Sequence, residues 1–90
     1  MTEVIIPLIG ACAAVLTSLS YIPQVRKAWP RGSTTDLSLK MLIALTSGLL
    51  LWIAYGLLKS DWVIVAANGA GAILSSSVMA FKIRDIRSGK

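Results

Sequence analysis

Trp52 and Asn68 are the two residues of this sequence hardest to explain as filler. Trp52 belongs to a stripe at alternating spacings of four and three, Met41, Leu45, Gly48, Trp52, Tyr55 and Lys59, which shares one face of a helix. A tryptophan that anchors a membrane interface belongs at the end of a span, yet Trp52 lies six residues inside Leu58. Asn68 lies six residues inside Trp62 on the next apolar stretch, which runs back the other way. At about 1.5 Å per residue, both side chains sit about 9 Å below the same boundary. An unpaired amide in hydrocarbon costs several kcal/mol, so Asn68 must face a partner or a wet cavity. Two accounts fit. One is a tryptophan packed in a bundle core beside a helix–helix hydrogen bond worth roughly 0.6–2 kcal/mol. The other is a site in which a sugar ring lays its C–H face on the indole and offers its hydroxyls to the amide.

A second group is conformational. Pro23 lacks an N–H and crowds the carbonyl of Leu19, so it either ends the first helix before Arg26-Lys27 or, with Gln24, makes a hinge there. Tyr55, Lys59 and Asp61 cluster at the opposite end. They read as a belt tyrosine, a surface lysine and an N-cap, or as a gate that closes across a two-fold axis. Other chemistries are excluded by composition. With no histidine and the single cysteine Cys12, neither a paired-thiolate site nor a histidine metal site is available. No nucleophile–base pair is in view, so an enzyme is not expected, nor is a cofactor or a metal.

The elements that position these residues follow from hydropathy. Hydrophobic residues make up 56% and charged residues 14%, too few charges to coat a soluble globule of 90 residues. A mean hydropathy of +0.75 points the same way, to an all-α membrane protein. Three apolar stretches, about 4–25, 39–58 and 62–81, each approach the roughly 20 residues that cross a bilayer. Residues 1–90 therefore form a single triple-helix bundle, with a basic tail over 82–90. The link 59–61 is so short that the second and third spans must be antiparallel neighbours. Thr35, Asp36 and Ser38 are candidate caps for the second span.

The net charge is +5, from nine Lys and Arg against four Asp and Glu. The cations gather beside apolar runs, which favours a juxtamembrane role over nucleic-acid binding. Arg26, Lys27, Arg31 and Lys40 flank the first loop, Lys82, Arg84, Arg87 and Lys90 follow the third span, and only Lys59 lies opposite. That asymmetry predicts an outside N-terminus and a cytoplasmic C-terminus. No basic segment precedes the first apolar run, so a cleaved signal peptide is not expected.

Three helices about 10 Å across pack without a central hole. A solute path would therefore need assembly, and a two-fold dimer is the commonest closed solution.

Ser20-Tyr21-Ile22-Pro23-Gln24 at the end of the first span, Leu51-Trp52-Ile53-Ala54-Tyr55-Gly56, Lys59-Ser60-Asp61 and Ala67-Asn68 together resemble the PQ-loop superfamily. The particular likeness is to the bacterial SemiSWEET sugar transporters, over essentially the whole chain. The resemblance implies a three-transmembrane-helix bundle packed in the order 1-3-2, working as a parallel homodimer in the bacterial inner membrane with a sugar path on its axis. It implies that Trp52 and Asn68 of both copies bind the sugar, that Tyr55, Lys59 and Asp61 form the outer gate, and that Pro23 and Gln24 are the hinge. Met41 resembles part of an inner gate. Where the family often has Arg, this chain has Lys59, which loses the bidentate grip on a carboxylate. The expected activity is facilitative uniport of a glucose- or sucrose-like sugar by alternating access. No carboxylate lies inside a span to relay protons. A holin-like or channel-forming oligomer and an accessory membrane subunit are the alternatives.

Overall fold

A computed structural model describes residues 1–89, and three helices account for most of them. They are α1 (Thr2–Ala28), α2 (Leu39–Leu58) and α3 (Trp62–Arg87), each long and apolar enough to cross a membrane. The protein is a multi-pass membrane protein of helices alone among the described residues. Its extents of 54 × 23 × 14 Å describe a slab one helix thick in its shortest direction.

Local chemistry sets the ends. Glu3 in the first turn of α1 and Arg26 and Lys27 in its last turn complement the helix dipole. Pro23 does not end α1, which continues through it to Ala28. Of the three candidate caps, Ser38 takes the role: its Oγ accepts the Met41 N–H at 3.2 Å. The turn from α2 to α3 is closed by the Asp61 N–H donating to the Gly56 carbonyl at 2.8 Å, with Ser60 in the left-handed region at φ 54°. Asp61 then caps α3 by accepting the Ile64 N–H at 3.2 Å.

The middle position belongs to α3. It packs against both α1 and α2, whose backbones do not come close to each other among the described residues, so the spatial order is 1-3-2. Small residues allow this. Gly71, Ala72, Ser75 and Val78 form the buried side of α3. A Cβ on Gly56 would lie 2.9 Å from Ile64 Cγ2, and one on Gly10 would lie 3.0 Å from Val63 Cγ1. Ser75 shares a buried 2.9 Å hydrogen bond with Thr46 of α2, while Ser77 bonds back to the Ile73 carbonyl of its own helix. Most other large apolar side chains are exposed, from Val4 and Ile6 on α1 to Leu51 and Leu58 on α2, as a lipid solvent permits.

The expected basic tail is not a tail up to Arg87. Past Phe81, α3 keeps its helical course to Arg87 because the tail's side chains hold the α1–α2 loop. Asp85, 1% exposed, accepts the Thr34 hydroxyl at 2.6 Å and the Gly32 N–H at 3.1 Å. Gly32 reaches that position at φ 80°, a conformation that suits glycine. Arg84 grips the Trp29 carbonyl at 2.7 Å and Lys82 the Thr34 carbonyl at 2.8 Å. Trp29 packs on Phe81 with ring centroids 5.4 Å apart. The result is a collar that closes the basic end of the bundle.

Candidate functional site

The Trp52–Tyr55 part of the stripe on α2 turns away from the bundle. Met41, Leu45, Trp52 and Tyr55 are all exposed, Trp52 to 54% and Tyr55 to 47%. Trp52 is therefore not a core tryptophan. Its ring stands edge-on to Tyr55, with centroids 5.4 Å apart and planes at 83°, which holds the indole without covering it. One turn below, Gly48 supplies no side chain, and a Cβ placed there would meet nothing within 4 Å. Gly48, Leu51, Trp52 and Tyr55 so line an open depression of about 430 Å³. That volume lies within the roughly 300–1,000 Å³ typical of small-molecule clefts. The depression lacks a facing wall, so a ligand held there by one chain would remain half in the open.

Asn68 is half-buried on α3 and outside that lining. The expected partner or wet cavity turns out to be nearer: Nδ2 donates to the Ile64 carbonyl of its own helix at 2.8 Å. This bond orients the amide and leaves Oδ1 as a free acceptor lone-pair set, with the second N–H as a donor. Among the described residues, Asn68 of the same chain does not line the Trp52 depression.

At the Asp61 end, Tyr55 borders the depression, the exposed Lys59 closes α2, and Asp61 is occupied as the cap of α3. Among the described residues Lys59 and Asp61 make no ion pair with each other. At the basic end the chain does bring together what the sequence separates. Gln24, after Pro23, and Met41, at the start of α2, line one cavity of about 160 Å³ with Lys27, Ser33 and Leu45. It is smaller and more closed than the depression around Trp52.

The collar was missed by sequence reasoning. Asp85 is the one acid in a basic run, and a lone carboxylate among Lys82, Arg84 and Arg87 was the available signal. It lies past the apolar part of α3. The Thr34 hydroxyl, the Gly32 N–H and Arg84 together hold its carboxyl far below the usual range, against the opposing effect of burial. Asp36 in the loop is lowered mainly by its 3.0 Å bond from Lys27.

Residues 5–65 match the family described as PQ loop repeat, which is more than half of the chain. The chain is 37% identical over 84 residues to the sugar transporter SemiSWEET of Bradyrhizobium diazoefficiens, covering 93% of this chain and 98% of that one. It is 36% identical over 78 residues to the sugar transporter SemiSWEET of Leptospira biflexa, covering 87% and 92%. A third relative, the sugar transporter SemiSWEET of Escherichia coli, is 33% identical over 72 residues, covering 80% and 81%. No solved structure gives a significant match. With the order 1-3-2, the Pro23-Gln24 pair and an exposed Trp52 stripe in place, the chain belongs to the PQ-loop family, in its SemiSWEET group.

Proposed function

We propose that this protein carries a small sugar across the bacterial inner membrane by facilitative uniport, alternating access at the axis of a parallel homodimer. The observation that carries the reading is the open Trp52 depression: an uncovered aromatic face of α2, wide enough for a sugar and walled on one side only. A second copy about a two-fold axis supplies the missing wall. The names of the relatives supply the substrate class.

In this scheme the two Trp52 rings sandwich the apolar faces of the sugar, and the two Asn68 amides, each oriented by its Ile64 bond, take hydroxyls. Tyr55, Lys59 and Asp61 of the two copies close the outer side, and Met41 narrows the inner side. Pro23 removes one backbone bond from α1, so bending there costs less than elsewhere in the helix. Gln24 lies next to that bend and lines the inner cavity. Support for uniport comes from the carboxylates: none lies in the interior of a span, and Asp85, at the end of α3, is fully engaged by its collar. The basic end then faces the cytoplasm, as the distribution of Lys and Arg predicts.

The test is uptake of labelled glucose and sucrose into proteoliposomes without an ion gradient. A carrier gives uptake that saturates and is competed by an excess of unlabelled sugar. Uptake that rises linearly with concentration and does not discriminate between solutes would replace this reading with a pore.

A further inference from the structure

We infer that Asp85 and Arg84 are positioning residues for transport, setting how far the basic end of the path opens around Pro23. The inference rests on the transport reading above. The last carbonyls of a helix have no helical partner, and Arg84 takes those of Ala28 at the end of α1 at 3.3 Å, of its cap Trp29 at 2.7 Å and of the next loop residue Pro30 at 3.0 Å. Through Nε at 2.9 Å, the same guanidinium holds Asp85, which reaches into the loop to Gly32 and Thr34. From Thr34 the loop runs to α2 through the Leu37 N–H, bonded to the Thr34 carbonyl at 3.0 Å, and then the Ser38 cap on the Met41 N–H. A continuous set of hydrogen bonds so ties the end of α1, through α3, to the backbone of Met41.

Its position relative to the bend gives the collar more than a role in stability. Only Gln24–Lys27, about one helical turn, separate Pro23 from Ala28, which is 1% exposed and packed with Leu42 and Val78. The inner end of α1 cannot swing about Pro23 while its terminal carbonyls stay on Arg84. In the structure the collar is intact and the Gln24–Met41 cavity is small, at about 160 Å³. Closure at the basic end and an intact collar belong to the same state. Weakening the collar moves the equilibrium toward opening at that end, since the state that keeps those bonds loses their free energy.

The experiment uses the full chain with Cys12→Ser to remove the native thiol. Leu45→Cys reports on the inner cavity and Leu51→Cys on the exposed face beside Trp52. In oriented proteoliposomes an impermeant maleimide is added to one side at a time, with and without Asp85→Asn. Asp85→Asn should raise the labelling rate of Leu45→Cys from the basic side by on the order of fivefold. It should lower the rate of Leu51→Cys from the other side, and Asp85→Glu should return both toward the parent. Unchanged rates in a folded Asp85→Asn protein would overturn the inference. So would a rise at both positions together, which is the signature of general loosening. If Asp85→Asn does not fold, Arg84→Lys, which keeps the charge and loses the fork, serves the same comparison with the same two readings. Absence of saturable sugar uptake by the parent overturns the transport reading itself; uptake with unchanged rates overturns only the role of the collar.

Discussion

Trp52→Ala separates a sugar-binding indole from a merely exposed one, and the size of its effect can be worked from the structure. A whole tryptophan side chain presents up to roughly 250 Å². With Trp52 54% exposed, about 130 Å² is open, and a ring stacked on one face covers about half of that. At about 25 cal/mol per Å², each indole contributes about 1.6 kcal/mol, or roughly 15-fold in the dissociation constant. In a homodimer the substitution removes both rings, so the expected loss is roughly 200-fold. Mixed dimers isolated through two different affinity tags, with one Trp52→Ala subunit, should lose only the 15-fold. The fold should survive, since the change forfeits one edge contact with Tyr55, worth about 0.5–1.5 kcal/mol. Radiolabelled-sugar binding in detergent reads all three proteins. Binding by Trp52→Ala within twofold of the parent would refute the stacking argument, and equal losses in mixed and homogeneous dimers would refute two rings sharing one sugar.

Thr34→Val keeps shape and deletes the hydroxyl that meets Asp85 at 2.6 Å, in a position with 0% exposure where water cannot substitute. It should cost about 1.5–3 kcal/mol, measured as a shift in the unfolding midpoint in detergent. Acid should weaken the same collar. The folded Asp85 carboxyl titrates below its ordinary 3.8, so the contribution of the collar is whole above that value and is lost as pH falls beneath it. Thermal unfolding should therefore be flat from about pH 5 to pH 8 and fall below about pH 4, less steeply in Asp85→Asn. Gly56→Ala places a Cβ 3.2 Å from the Asp61 backbone oxygen, as well as 2.9 Å from Ile64 Cγ2, and should cost about 1–3 kcal/mol. Gly69→Ala, whose Cβ meets nothing within 4 Å, is the control that should leave the unfolding midpoint where it is or raise it.

Hydropathy located all three helices, and caps located some of their ends. The starts of α2 and α3 are legible because Ser38 and Asp61 carry the oxygen that a first turn needs. The far end of α3 is not legible that way. An apolar window stops where the charges begin, at about Phe81, whereas the helix goes on to Arg87 because Asp85 and Arg84 have partners some fifty residues earlier in the chain. Such long-range bonds leave no local pattern. Asn68 and Ser75 take opposite kinds of partner. The amide bonds within its own helix, as its spacing to Ile64 permits, while the hydroxyl crosses to Thr46 at 2.9 Å. Both choices are open to a short polar side chain on a helix, and packing decides between them. The Trp52 stripe was readable from spacing. Its exposure was not, because periodicity identifies one face of a helix without saying what lies opposite. In the proposed function a second copy brings together what one chain leaves apart, Trp52 from Asn68 and Lys59 from Asp61.

Everything proposed for transport assumes that one molecule of sugar is held between two chains. Equilibrium dialysis of the purified protein against labelled sugar, with the chain concentration fixed by amino-acid analysis, counts this directly. The account predicts saturation at one sugar for every two chains, in particles whose mass is twice that of the chain. Saturation at one sugar per chain, or undiminished binding by particles with the mass of a single chain, would contradict it.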